Sequence, residues 1–335
     1  MKMIYRDMNS SVSLPFGTTQ RFQIGRGIRQ GCPLSSLLFL LAVDMLSTLV
    51  SHDLSVKKLN VFGKTLAISQ LADDTALFLQ NKDQIPLDIS LINSFCKASG
   101  LQLNLNKCER LALHPIQDLS LYNIPVKVTV KYLGISISKD LKISMKEHFE
   151  NKIQKASGIL NSWLQRDVSI FGRILLSKGE YLSRLIYPAL SLAPSSGIIK
   201  ISNQKMYDFI WRHKTLYIRK SDIIKGYEEG GLNKIEFESM NTLLKLKCHQ
   251  MFLGNTESFW YAVPSALFGE VGGIRFLLKC DFDLPKLPVK LLAFHQQSYY
   301  AGNWHTHTIL HPIIILYGIT NIFYTETNPC FMKIG

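Results

Sequence analysis

The chain has 335 residues, with 38 Lys+Arg against 25 Asp+Glu, a net charge of +13 and pI ≈ 9.4. Hydrophobic residues at 47% and charged residues at 19% exclude a disordered polar chain, and 21 Gly with 12 Pro exclude a collagen-like or mucin-like one. The length predicts two or three packed units, and the positive balance favours a polyanionic partner, nucleic acid or an anionic membrane surface.

Phe22, Ile24, Gly25 and Gly27 predict a strand ending in a glycine-rich turn. Pro33 then suits the first turn of a helix, and Leu34, Leu37, Leu38, Leu41, Ala42, Met45, Leu46 and Leu49 follow helical spacing. Phe39, Leu40 and Val43 fill its other side, so this helix is expected deep in a core. Residues 61–80 read as strand, tight turn, strand, with Asp73 and Asp74 at the tip. Pro86 starts a second helix, with Leu87, Leu91, Ile92, Phe95 and Ala98 on one face and Gly100 as its stop. Leu101, Leu103 and Leu105 alternate with polar residues, as do Val126, Val128 and Val130, and both runs predict half-buried strands. Gly134 turns the chain into Ile135 and Ile137.

From residue 141 the period is helical, with Phe149, Ile153, Ala156, Leu160 and Trp163 on one face and Lys142, Lys146, Lys152 and Lys155 off it. A further helix is predicted over Ile170–Leu190, ending near Pro188, then a Ser191–Gly197 linker, a basic and aromatic stretch over 205–225, and a turn at Gly230-Gly231. Residues 250–335 show no interpretable pattern. The order is α+β followed by α.

Cys32, Cys96, Cys108, Cys248, Cys280 and Cys330 form no CxxC pair, which points to a reducing compartment. His305, His307 and His311 near Cys280 lack the paired spacing of a zinc site. The first residues carry no apolar h-region of signal-peptide type, and the apolar runs Leu34–Val43 and Ile309–Gly318 are interrupted by Asp44 and by His311 and Pro312. An intracellular protein, nuclear or cytoplasmic rather than secreted, without a membrane partner, is expected.

Two adjacent carboxylates on a rigid hairpin can hold a divalent cation against a partner's phosphates, and Mg²⁺ keeps waters while doing so. In the Gly27-Ile28-Arg29-Gln30-Gly31-Cys32-Pro33-Leu34-Ser35 segment, glycines admit a ligand close to the backbone and a helix start offers free N–H groups. Lys131-Tyr132-Leu133-Gly134-Ile135 reads alone as a hairpin turn.

In this order and spacing, these segments, with Leu71-Ala72-Asp73-Asp74 and the Gly100–Lys107 stretch, resemble motifs B, C, D and E of the reverse transcriptases of LINE-type (non-LTR) retrotransposons. The resemblance extends to Trp163–Pro188, with Phe171-Gly172-Arg173-Ile174, as thumb, and to Phe209-Ile210-Trp211 with Glu228-Glu229-Gly230-Gly231-Leu232 beyond it. It covers roughly residues 1–250.

The implied architecture is a partial right-hand polymerase palm at 1–137, expected as an antiparallel sheet with packed helices, a mostly helical thumb at 138–197, a basic and aromatic post-thumb segment at 198–250 and a region of unassigned role at 251–335. Asp73 and Asp74 match the metal ligands, Asp73 the more direct. Gln30, Gly31, Pro33 and Ser35 would line the nucleotide and template pocket, Lys107 would protonate the leaving pyrophosphate, and Tyr132, Leu133 and Gly134 would form the primer grip. Mg²⁺, an RNA template and a DNA primer are the implied cofactor and partners. Leu71 departs from the family's Tyr or Phe before Ala-Asp-Asp.

The family's upstream motif A aspartate has no match: Met1–Tyr5 resembles the helix after it, and Asp7 stands in the wrong context. Successive side chains of a strand point to opposite faces, so Asp73 and Asp74 need a carboxylate from a neighbouring strand to hold two ions. Polymerisation by this chain alone is therefore expected at or below detection. Residues 139–225 hold 16 Lys/Arg and 7 Asp/Glu, +9 of the +13, interleaved with Trp163, Phe171, Tyr207, Trp211 and Tyr217, a composition suited to nucleic acid. A non-catalytic, nucleic-acid-binding or inert product of the same lineage remains the alternative.

Overall fold

Apolar spacing and tight turns build the first part of the fold. The structure, a computed structural model, describes residues 8–25, 27, 31–113, 120–254, 256–277, 291–302 and 330–334. Two small hairpins open it, Asn9–Ser10 with Phe22–Gln23 and Ser13–Leu14 with Gly17–Thr18. Helix α1 follows over Pro33–His52, with proline in its first turn as expected. Strands β1 (Leu59–Val61) and β2 (Lys64–Leu66) pair, and β3 (Ile68–Leu71) turns directly into β4 (Asp74–Leu79). Helix α2 runs Ile85–Ser99 and stops at Gly100, whose φ of +76° lets its N–H bond the Cys96 carbonyl.

Strands β5 (Glu109–Ala112), β6 (Ser120–Leu121) and β7 (Ile124–Lys127) complete one edge of the main sheet. Strands β8 (Thr129–Tyr132) and β9 (Ile135–Ser138) form a separate hairpin. The main sheet closes with β10 (Cys330–Ile334), giving the order β6-β7-β5-β10-β4-β3. Among the described strands the sheet departs from the expected all-antiparallel pairing at β7 and β5, which run parallel.

Strand β4 is buried on both faces, which explains its unbroken apolar run. Leu77 and Leu79 pack with Leu46, Val50, Ile85 and Ile92 under α1 and α2. Ala76 and Phe78 face a larger cluster that runs through Val130, Tyr132 and Ile137 into the helical part. That part comprises a continuous helix α3 over 141–164, α4 over 170–191, α5 over Ser196–Ile210 and α6 over Phe237–Gly254, with α7 (Ala293–Gly302) packed on α6. The expected stripe of α3 holds: Phe149, Ile153, Ala156 and Leu160 are buried. Phe149, Ile153 and Leu160 each contribute roughly 1.5–3 kcal/mol by leaving water.

Several expectations fail. Helix α1 is not deep in a core: it buries Ser35, Val43, Leu46 and Val50, while Leu37, Leu40, Leu41 and Met45 are exposed, Met45 at 62%. One face rests on the sheet, and no described element covers the other. It is, among the described residues, the one helix long and apolar enough to cross a membrane.

Leu101–Leu105 form no strand. The Asn104 side chain accepts the Asn106 N–H at 3.2 Å and folds the chain into a Leu105–Lys107 turn, the local bond by which asparagine competes with a ladder. Val128 is exposed and separates two strands. Pro188 lies inside α4, which ends at Ser191, and the linker shortens to 192–195 because Ser195 caps α5 through the Ile198 N–H. Beyond residue 250, helices and a central strand appear where no pattern was legible. The readings placed on Met1–Asp7, Cys280 and His305–Gly318 lie outside the described residues.

Candidate functional site

Ala72 and Asp73 form a two-residue loop closed by the Leu71–Asp74 pair, so the acids do stand at a hairpin tip. Ala72 takes φ +53°, a left-handed value that costs a non-glycine residue on the order of 1 kcal/mol and that a tight loop between twisted strands requires. Asp73 is exposed in the loop, and Asp74 is half-buried as the first residue of β4. Across the hairpin, Gln70 Nε2 donates to Thr75 Oγ1 at 3.2 Å. Leu71, the departure noted above, is exposed beside the tip.

Tyr132 braces this hairpin. It is 1% exposed, and its hydroxyl lies 3.2 Å from the Ser69 carbonyl and 3.3 Å from Ser69 Oγ. Burial pushes its phenol above the usual value; the Ser69 contact opposes that and the Asp74 charge adds to it. Leu133 and Gly134 form the two-residue loop of the β8–β9 hairpin with φ +46° and +77°. Tyr187 of α4 donates its hydroxyl to the Leu133 carbonyl, and its ring stands 3.4 Å from where a Gly134 Cβ would be. The structure thus links Asp74, Tyr132 and the Leu133–Gly134 loop into one braced unit.

Gly31, with φ +83°, turns the chain into α1; Pro33 is exposed and Ser35 is buried. Helix α1 packs on β3 through its later turns, at Leu46 and Val50, rather than through this corner. Gln30 lies outside the described residues. Lys107 is exposed in the turn that leads into β5. Because β10 intervenes, β5 stands two strand spacings from β4, roughly 10 Å.

Among the described residues no three His, Cys, Asp or Glu side chains gather at one place. Two adjacent carboxylates suit one hydrated Mg²⁺ that takes its remaining ligands from water and phosphate. A two-ion clamp, with ions about 3.5–4 Å apart, asks for more carboxylate than the hairpin offers.

The basic helical part divides its aromatics. Tyr207 and Trp211 are core residues, Trp163 is half-buried with the Arg166 guanidinium 4.7 Å over its ring, and Phe171 and Tyr217 are exposed. Arg173 is structural: its Nε donates to the Ile210 carbonyl at 2.6 Å and its guanidinium to the Val168 carbonyl at 2.6 Å. At Gly172 beside it a Cβ would fall 2.5 Å from Val168 Cγ1, so a side chain there would have to displace that methyl. Sequence reasoning missed Ser69 and Tyr187, because contacts across 63 and 54 residues leave no local period.

Comparisons with known proteins bear on the sequence of this part of the chain. Residues 2–137 match the family model of reverse transcriptase (RNA-dependent DNA polymerase). That segment is similar to reverse transcriptases, and two of the relatives that follow are proteins of transposable elements. The chain is 24% identical over 288 residues, 82% of its length, to the transposon TX1 uncharacterized 149 kDa protein of Xenopus laevis. It is 31% identical over 91 residues, 27% of its length, to the retrovirus-related Pol polyprotein of a type-2 retrotransposable element of Drosophila melanogaster. A putative ribonuclease H protein of Arabidopsis thaliana is 24% identical over 140 residues, 40% of the chain. The chain spans only 22%, 8% and 23% of these relatives' lengths.

Proposed function

We propose that the chain is part of an RNA-directed DNA polymerase, with palm at 1–137, thumb at 138–197 and a basic post-thumb segment at 198–250. The observation that supports this most is the braced hairpin, Asp73 and Asp74 at its tip and Tyr132 bonded to Ser69 beneath them. Asp73 and Asp74 would hold Mg²⁺, which would neutralise phosphate charge during nucleotidyl transfer. Gly31, Pro33 and Ser35, with Gln30, would line the nucleotide and template pocket. The Leu133–Gly134 loop, held by Tyr187, would position the primer end, and Lys107 would supply a proton to pyrophosphate. The basic face would neutralise template and primer phosphates.

Among the described residues the acidic hairpin offers carboxylates for one ion, so primer extension on an RNA template by this chain alone is expected at or below detection. Each ~1.4 kcal/mol of lost transition-state stabilisation is tenfold in rate. Extension by the purified chain that disappears in Asp73→Ala would overturn this expectation. The second reading, a nucleic-acid-binding protein without catalysis, draws on β10, which stands beside β4 and brings no acid. Binding of an RNA–DNA duplex without extension, weakening steeply with salt, is its signature.

A further inference from the structure

Strand β10 is the least expected element of the sheet. It joins β4 and β5 although more than 200 residues separate it from either. It is antiparallel to both, pairing Cys330 to Ile334 with Leu79 to Thr75 on one side and Cys330 to Lys333 with Ala112 to Glu109 on the other. The inner edges of β4 and β5 therefore find their backbone partners in β10. Thr75 to Leu79 are all buried, so this place must hold a strand, since an unpaired buried amide or carbonyl costs roughly 1–3 kcal/mol.

The register says what the strand brings to the acids. Paired residues of antiparallel strands share a face, and faces alternate along each strand. Asp74, Ala76 and Phe78 thus share a face with Phe331 and Lys333 of β10 and with Glu109 and Leu111 of β5. Ile334, paired with Thr75, belongs to the opposite face. Lys333, opposite Ala76, is the same-face position of the described strand nearest Asp74. A strand has two edges, and the other edge of β4 pairs with Gln70 and Leu71, which are not acids. A further carboxylate joining Asp74 from a neighbouring strand would have to come from the place β10 occupies. Glu109, beyond it, is already in an ion pair with Lys127.

We propose that Cys330–Ile334 is an inhibitory strand for the acidic hairpin. It fills the sheet position from which the cation site could be completed, and it sets a lysine in the register position where a carboxylate would serve. The inference rests on the reading of Asp73–Asp74 as a cation site and adds a regulation of that site.

Mn²⁺ binding to the full chain, read by paramagnetic relaxation, tests it, with hydrogen exchange of the β4 amides as the structural control. Lys333→Ala is expected to tighten Mn²⁺ binding several-fold and Lys333→Asp at least tenfold, with β4 amides still protected. Both gains should vanish when Asp74→Ala is added. Met332→Pro, which a central strand cannot accommodate, should accelerate exchange of the β4 and β5 amides while α4 and α5 stay protected. If Asp74→Ala weakens Mn²⁺ binding but neither Lys333 variant strengthens it, the inhibitory role is overturned and the cation reading stands. If Asp74→Ala changes nothing in either background, the cation reading fails and takes the inference with it. Protected β4 amides in Met332→Pro would overturn the strand's place in the sheet.

Discussion

Asp88 puts a carboxyl on the buried stripe of α2, 2% exposed among Ile85, Ile92 and Gln84. Burial lifts it from 3.8 to about 6; the Gln84 amide opposes this and Asp53 adds to it. An acid whose folded value is raised binds more protons folded than unfolded across that interval. Stability should therefore fall as pH rises from about 4 to about 6 and stay level above. Asp88→Asn should remove that slope and add about 2 kcal/mol at pH 7, measured by urea unfolding at several pH values. An unchanged slope in the variant would show that another group titrates. Helical spacing found Leu91, Ile92 and Phe95 on this stripe but not Asp88, because a period identifies apolar positions and is silent about an acid placed among them.

Elements here are held by side chains that reach across the core to other elements' ends. Lys245 of α6 is fully buried, and its ammonium donates to the carbonyls of Ala189 at 2.5 Å and Leu192 at 2.7 Å, at the C-terminal end of α4. The Phe294 ring lies 4.1 Å from the same nitrogen. The helix end favours the charge, but burial dominates and lowers the lysine from 10.5 to about 7. The unfolded chain then binds more protons between pH 7 and 10.5, so stability should rise with pH through that window, at most about 1.4 kcal/mol per pH unit. Lys245→Met should flatten the rise in thermal or urea unfolding. A parent with level stability from pH 7 to 10 would exclude this lysine as the titrating group. Arg173 plays a similar part at the end of α5, where its Nε bonds the Ile210 carbonyl.

Across the whole molecule, the positive charge is uneven, and the folded chain sorts it further. Lys214, Arg219 and Lys220 are exposed with Leu216 and Tyr217, the latter 80% exposed, in one loop between α5 and residue 221. Tyr217 leans edge-on against Trp211 at 6.1 Å, which fixes an aromatic face beside three cations. Replacing all three cations by alanine should weaken RNA–DNA binding and lower the slope of log K against log salt by about 2–3. An unchanged slope would place the nucleic acid elsewhere. Here composition alone foresaw a basic aromatic segment, yet it could not divide core aromatics such as Tyr207 and Trp211 from the exposed Tyr217, because burial is set by neighbours far along the chain.

Local chemistry in the sequence was enough to determine the acidic hairpin, the Gly31–Pro33 helix start, the Gly100 stop, the Leu133–Gly134 loop and the stripe of α3. Each depends on residues a few positions apart: a proline that tolerates a helix start, a glycine that accepts a positive φ, or an apolar period of 3.6. Tertiary structure alone decided that α1 is half-exposed, that Tyr132 braces Ser69 and Tyr187 the next loop, and that Cys330–Ile334 enters the sheet beside Asp74. Strand neighbours are chosen by backbone pairing and shared burial. Neither depends on distance along the chain, so no window of sequence contains the choice.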